Sequence, residues 1–278
     1  MLEIFKVGHC WHPEAVVLRS CTLRKMQFPA YCGLIRHPSK GLMLFDTGYA
    51  KRFLKRTSYF PELLYRMITP MELGCKENLI LQLAEKGISP DEIKYIFVSH
   101  FHADHIAGLL DFPSAKFICS KIAFQEIMRL GRIRGLLKGY LKALIPTDFN
   151  KRCTFVEDLK PVKLDFALSP FVQGFDIFND GSLMAISLPG HAAGQYGLFC
   201  VQDSNGAFLV GDAAWTKEAY ERSVYPSPLT YLIMDSRKLY IETLQKLNLL
   251  YGSGSGIKII PSHCARSVSE YRSMNDVG

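Results

Sequence analysis

His100, His102, Asp104 and His105 fall within six consecutive positions of the run SHFHADHIAG, the central chemical signal of this chain. Neutral imidazole and carboxylate are the ligands zinc prefers when thiolates are absent. Four such side chains so close together do not fit comfortably around one tetrahedral ion. If His100 and His102 serve one metal, Asp104 and His105 can turn toward a second. Further donors must then come from elsewhere, and the chain offers His191 in PGHAAG, Asp212 in GDAAW and His263 in PSH. A lone histidine after a strand is more often a hydrogen-bonded structural residue than a ligand. Beside the 100–105 cluster, these three become candidates for a shared metal centre. His9, His12 and His37 are left to surface or pocket-wall roles.

Structural zinc sites are closed and usually built from cysteine, whereas this set is histidine and aspartate throughout. Two ions about 3.5–4 Å apart can share a water, lower its pKa toward about 7, polarise a scissile carbonyl or phosphoryl oxygen and stabilise the leaving oxygen. Hydrolysis is the chemistry such a centre serves.

The elements that must position these residues follow one arrangement. A short, β-rich apolar run ends, and a histidine or aspartate appears within the next few residues. LMLF precedes Asp46, YIFVS precedes His100, MAISLPG precedes His191, AFLVG precedes Asp212 and IKIIPS precedes His263. Short apolar runs bounded by Gly and Pro read as buried strands. In α/β folds ligands bind beyond the carboxyl ends of strands, so the donors are expected to meet at one sheet edge. Residues 76–86 carry apolar positions at helical spacing before Gly87, and Ser89, Pro90, Asp91 and Glu92 read as the capped start of a short turn. A second amphipathic helix is expected over 234–250, ended by the glycine-rich run 251–256. No P-loop or GxGxxG fingerprint is present.

The 278 residues are 48% hydrophobic and 21% charged, a globular composition with enough apolar material for a large core, read as one domain. The net charge of +7 is a mild basic excess that does not argue for nucleic acid. Eight cysteines (Cys10, Cys21, Cys32, Cys75, Cys119, Cys153, Cys200 and Cys264) are scattered without a CxxC pair, as suits reduced thiols. MLEIFKVGHC reads as a first strand and not as an export signal, so a cytoplasmic location is expected. The uncharged stretch ending near Gln202 is interrupted by Pro189, Gly190, His191, Gly194 and Gln195 and is rejected as a membrane span. Residues 119–152, including RLGRIRGLLKGYLKALI, are read as a helical insertion. It buries its leucines and solvates its lysines, or else acts as a lid or a weak membrane-surface helix.

Taken in order, FDTG, SHFHADH, PGHAAG, GDAAW and PSH resemble the motifs of the metallo-β-lactamase superfamily across nearly the whole chain. The resemblance implies a four-layer αββα sandwich with two divalent metal ions, most simply zinc. By that likeness His100, His102 and His191 hold the first metal, Asp104, His105 and His263 the second, and Asp212 bridges them. Asp46 is then either a residue that orients a ligand or a turn-forming aspartate before Gly48.

True β-lactamases of the superfamily typically place Cys or Ser at the bridging position, so Asp212 disfavours antibiotic cleavage. The overall look is similar to N-acyl homoserine lactone lactonases, in length, in HxHxDH and in the stretch 211–218. In those lactonases a tyrosine commonly lies three residues after the bridging aspartate and assists the lactone oxygens. Here that position is Trp215, whose indole can donate a hydrogen bond but has no phenolic proton. Tyr220 or Tyr225 is the candidate substitute, against the alternative of an ordinary packed aromatic. The expected substrate is a small-molecule lactone or ester, with Asp104, Asp212, Trp215 and Tyr220 as the catalytic candidates. Competing readings keep the centre and change the bond to a thioester or a phosphodiester, the latter needing Arg129, Arg132, Arg134, Lys138 and Lys142 as a basic groove. A metal-containing binding protein with negligible turnover is a further alternative.

Overall fold

The structure, a computed structural model, describes residues 1–17, 19, 22–201 and 206–275. Cys21 lies outside them. The chain divides into two compact units, one of residues 1–12 and 25–154, the other of 13–24 and 155–278.

The first unit holds a seven-stranded sheet built from β1 (Leu2–Pro13), β2 (Lys25–His37), β3 (Gly41–Phe45), β4 (Met71–Glu72), β5 (Ile93–Val98), β6 (Lys116–Cys119) and β7 (Cys153–Phe155), in the order β4-β1-β2-β3-β5-β6-β7. β2 and β3 form an antiparallel hairpin. β3, β5 and β6 run parallel, with Phe45 opposite Phe97 and Val98 opposite Cys119. Parallel strands are covered on both faces and so read as continuous apolar runs, which is why LMLF and YIFV carried a signal in the sequence. The rings of Phe45 and Phe97 stack at 5.7 Å and both are buried.

The second unit holds a six-stranded sheet of β8 (Pro161–Lys163), β9 (Gln173–Asp176), β10 (Leu183–Ser187), β11 (Tyr196–Cys200), β12 (Ala207–Gly211) and β13 (Lys258–Pro261), in the order β13-β12-β11-β10-β9-β8. It is antiparallel except for the parallel β12–β13 pair. Leu188, Phe208, Val210, Leu244 and Leu247 form the centre of its apolar core.

All five expected strands are present, but they do not share one edge. β3 and β5 belong to the first sheet, while β10, β12 and β13 belong to the second. The carboxyl-end rule governs each sheet separately, and nothing in an apolar run says which sheet it will join.

Helix boundaries follow the caps. Asn78 Oδ1 accepts from the backbone N–H of Leu81 and starts the helix Leu79–Glu85, leaving Cys75–Glu77 as a 3-10 turn. Glu92 Oε2 accepts from Ser89 N at 2.7 Å, closing the capping box of the turn Pro90–Glu92. Ser236 caps the helix Arg237–Gly252, which begins three residues later than its apolar spacing suggested. Residues 251–256 do end that helix. Within 119–152 the structure has the helices Lys121–Arg129, Arg132–Leu137 and Phe149–Arg152 and a 3-10 turn at Lys142–Leu144. Gly131 and Gly139, the latter at φ +75°, break what would otherwise be one run. Among the described residues no helix is long and apolar enough to cross a membrane, and the seven described cysteines are unbridged.

Candidate metal centre

In the first unit the donors are organised by Asp46, just beyond β3. Its backbone sits at φ +58°, a conformation that a non-glycine residue adopts at a cost and that recurs where side chains must be aimed. The backbone N–H of Asp46 donates to Phe97 O at 2.8 Å, locking it beside the end of β5. Its Oδ1 accepts from Ser99 N at 2.8 Å, and its Oδ2 accepts from Ser99 Oγ and His105 Nδ1, both at 2.7 Å. Thr47 completes the wrap: its N–H and its hydroxyl both donate to His105 O, and Gly108 N donates back to Thr47 Oγ1. Both readings of Asp46 therefore hold, since the strained turn is what points the carboxylate at the histidine loop. Gly48, at φ +64°, has room for no side chain, because an added Cβ would collide with Val7.

These bonds set the histidine tautomers. A carboxylate only accepts, so His105 carries its proton on Nδ1 and presents Nε2 as a lone pair. The single proton of the Ser99 hydroxyl goes to Asp46, so Ser99 Oγ accepts from His100 Nδ1 at 3.0 Å and His100 Nε2 is likewise left as a lone pair. His100 Nε2 lies 3.1 Å from His102 Nδ1, and the rings of His100 and His105 are 4.0 Å apart. Asp104 Oδ2 lies 3.6 Å from His105 Nε2. His100 and His105 are buried, while Asp104 keeps some exposure.

In the second unit Asp212 follows β12 directly, past a register shift against β13 that ends at Gly211. Trp215 Nε1 donates to Asp212 Oδ2 at 2.8 Å. His263 Nε2 lies 3.1 Å from Oδ1, and His191 Nε2 lies 3.3 Å from Oδ2. All three donors are under a tenth exposed. The His191 loop is clamped by the helix Arg237–Gly252: Ser236 N donates to Gly190 O, Asp235 N to His191 O, and Thr243 Oγ1 to Pro189 O. Gly190 sits at φ +128°, where an added Cβ would collide with the backbone of Tyr240. His263 is fixed from behind, with Ser262 N donating to Gly211 O.

This donor set fits divalent cations. Its members are imidazole and carboxylate only, they are mostly buried, and in the first unit Asp46 and Ser99 hold the Nδ1 sides of His100 and His105 so that Nε2 faces His102 and Asp104 respectively. Buried imidazoles and carboxylates converging in this way are costly unless something charged is held between them.

Tyr220 does not take the role expected for it. It is 2% exposed within the core of the second unit, and its hydroxyl bonds Ile259 O at 3.1 Å and Ser267 Oγ at 3.2 Å. It is the packed aromatic of the alternative reading. The basic groove needed for a phosphodiester is weakened as well, since Arg129 and Lys138 pair with Glu126, and Arg132 makes a bidentate pair with Glu62. Ser99 and Thr47 lie inside the motifs SHFHADH and FDTG, where their residue types alone assign them no role. Their position beside Asp46 and the histidine run was the available signal, but only the turn at φ +58° reveals what they do.

The fold and these donors define a metal-dependent hydrolase. The sequence pattern of the Metallo-beta-lactamase superfamily matches residues 26–250, and the chain belongs to that superfamily. It is 25% identical over 210 residues to the N-acyl homoserine lactonase AttM of Rhizobium johnstonii, covering 75% of this chain and 71% of that protein. Among solved structures it is similar to an N-acyl homoserine lactone hydrolase with the product N-hexanoyl-L-homoserine bound at the catalytic metal center, at a TM-score of 0.73 and 19% identity over 97% of this chain and 95% of the other. It also resembles AidC, a dizinc quorum-quenching lactonase, at a TM-score of 0.65 and 17% identity over 95% and 87%.

Proposed function

We propose that the chain opens lactone rings by adding water across the ring ester, with N-acyl homoserine lactones as the first substrates to consider. The single observation that carries this reading is the donor set itself, histidine and aspartate without thiolate, with Asp212 facing both His191 and His263. The two donor sets act as one centre for two divalent ions, zinc on donor chemistry. His100, His102 and His191 would hold the first ion, Asp104, His105 and His263 the second, and Asp212 would serve both. Within the first unit His100 Nε2 lies 3.1 Å from His102 Nδ1 and Asp104 Oδ2 lies 3.6 Å from His105 Nε2, and within the second Asp212 faces both His191 and His263, which supports the assignment. The lactonase relatives support the choice of bond.

The ions, when bound, supply an activated water and a polarised ester carbonyl. Asp46 and Ser99 keep His100 and His105 in the ligating tautomers. Asp104, the least buried of the three site carboxylates, is assigned the proton released by the attacking water, which it returns to the ring oxygen as the hydroxy acid forms. Trp215 holds Asp212 and does not offer a proton to the leaving oxygen. In an organism that signals with such lactones, the reaction would quench that signal.

The test is a hydrolysis screen of zinc-loaded protein over acyl homoserine lactones, simple lactones, thioesters and phosphodiesters, with elemental analysis of the same preparation. Lactone turnover with two metal ions per chain is expected. Turnover confined to thioesters or phosphodiesters would overturn the substrate assignment.

A further inference from the structure

We propose that the face formed by residues 51–68 and 121–142 of the first unit is a docking surface for anionic phospholipid bilayers. The helices Lys51–Arg56, Glu62–Ile68 and Arg132–Leu137 build it. They are joined physically: Arg132 Nε and Nη2 donate to the two Glu62 carboxylate oxygens at 2.6 and 2.7 Å, and Tyr65 Oη donates to Gly139 O at 3.3 Å.

Two properties coincide there. The first is charge. The two segments contain eleven lysines and arginines and two glutamates, a net of +9 in 40 residues, whereas the whole chain carries +7, so the other 238 residues sum to −2. Pairing of Arg52 with Asp111 removes one of these cations and leaves the excess in place. The second is apolar exposure. Tyr59 is 82% exposed, Phe60 75%, Met67 67%, Ile68 72% and Leu137 71%. Arg66 and Arg134 are exposed between them.

Apolar and aromatic side chains interleaved with cations on a solvated face suit the boundary between headgroups and acyl chains. A second copy of the chain is disfavoured, because a two-fold contact would set this excess of positive charge against itself. Single-stranded RNA would use the charge and the two aromatics but leaves Met67, Ile68 and Leu137 without partners.

The experiment is flotation of the whole protein with phosphatidylcholine vesicles, with and without about a third phosphatidylglycerol, at low salt and at about 0.5 M salt. Binding is expected only with the anionic lipid, falling at least about tenfold at the higher salt. Two variants separate the components. The K55E/R56E/R134E variant should lose binding by about tenfold or more, and I68S/L137S should weaken it at unchanged charge. The control K238E/K246E, at exposed positions of the helix Arg237–Gly252 in the second unit, should bind as the parent does. Circular dichroism of each variant separates loss of binding from loss of fold. Equal binding to neutral vesicles, no effect of K55E/R56E/R134E, a stable dimer at low salt, or preference for single-stranded RNA over vesicles would each overturn the proposal.

Discussion

The indole N–H of Trp215 points at Oδ2 of Asp212 across 2.8 Å, and the same ring meets the His191 imidazole edge-on at 5.6 Å. The aromatic three residues after Asp212, expected to face the substrate, is here turned back toward the protein's own carboxylate. Trp215→Phe keeps the ring contact and removes the donor. Weakened metal retention by about 10–100-fold is expected, as for other outer hydrogen bonds to metal ligands. Titration with a chelating dye reads it directly, and an unchanged affinity would show that the indole serves packing alone.

Asp46→Asn replaces an acceptor pair with one acceptor and one donor, so Ser99 N–H and His105 Nδ1–H lose part of their shared anchor. His105 then samples the wrong tautomer. Metal affinity is expected to fall by about 10–100-fold with little change in the second unit's own core. The same dye titration, with the imidazole nitrogens followed by 15N NMR, checks both the affinity and its cause.

Gly190→Ala should be among the most damaging small substitutions in the chain. It demands a φ near +128° from alanine and drives its Cβ into the start of the helix Arg237–Gly252. A cost of about 3 kcal/mol or more is expected, measurable as a lowered urea midpoint. A midpoint within experimental error of the parent would mean that the His191 loop is looser than drawn.

Tyr196 gives a pH dependence of known sign. Burial, with a smaller contribution from Glu157, pushes its phenol up to about 12. The folded form thus holds its proton to higher pH than the unfolded chain. The stabilisation it contributes is complete below the unfolded value of about 10 and disappears as pH rises through about 12. Tyr196→Phe should flatten the decline of the urea midpoint between those limits, and an identical decline in both proteins would refute the assignment.

Loading with zinc should raise the melting temperature in a concentration-dependent way, since a ligand bound only by the folded state stabilises by mass action. Scanning calorimetry of chelator-treated protein, before and after adding back zinc, manganese or cobalt, ranks the ions and checks this.

The strands that precede Asp46, His100, His191, Asp212 and His263 were legible because each contains a short apolar run that the candidate donor closely follows. Two features were not. Sheet membership depends on long-range pairing, so LMLF and AFLVG look alike in sequence while lying in different sheets. The partner of a side chain is equally hidden: Tyr220 and Trp215 are both aromatics near GDAAW, yet one hydroxyl is turned into the core and one indole toward Asp212. The direction of a ring depends on the backbone of the turn after β12, which no spacing rule reaches.

The clamp between the PGH loop and the helix that follows Ser236 sets where this chain can change length. An insertion or deletion between Asp235 and Tyr240 would rotate the helix start and drag the His191 imidazole off its aim. The exposed stretch just past Gly252 carries none of the candidate donors and can lengthen without turning the helix start. Natural variants of this protein should therefore differ in size after the helix and keep their length before it.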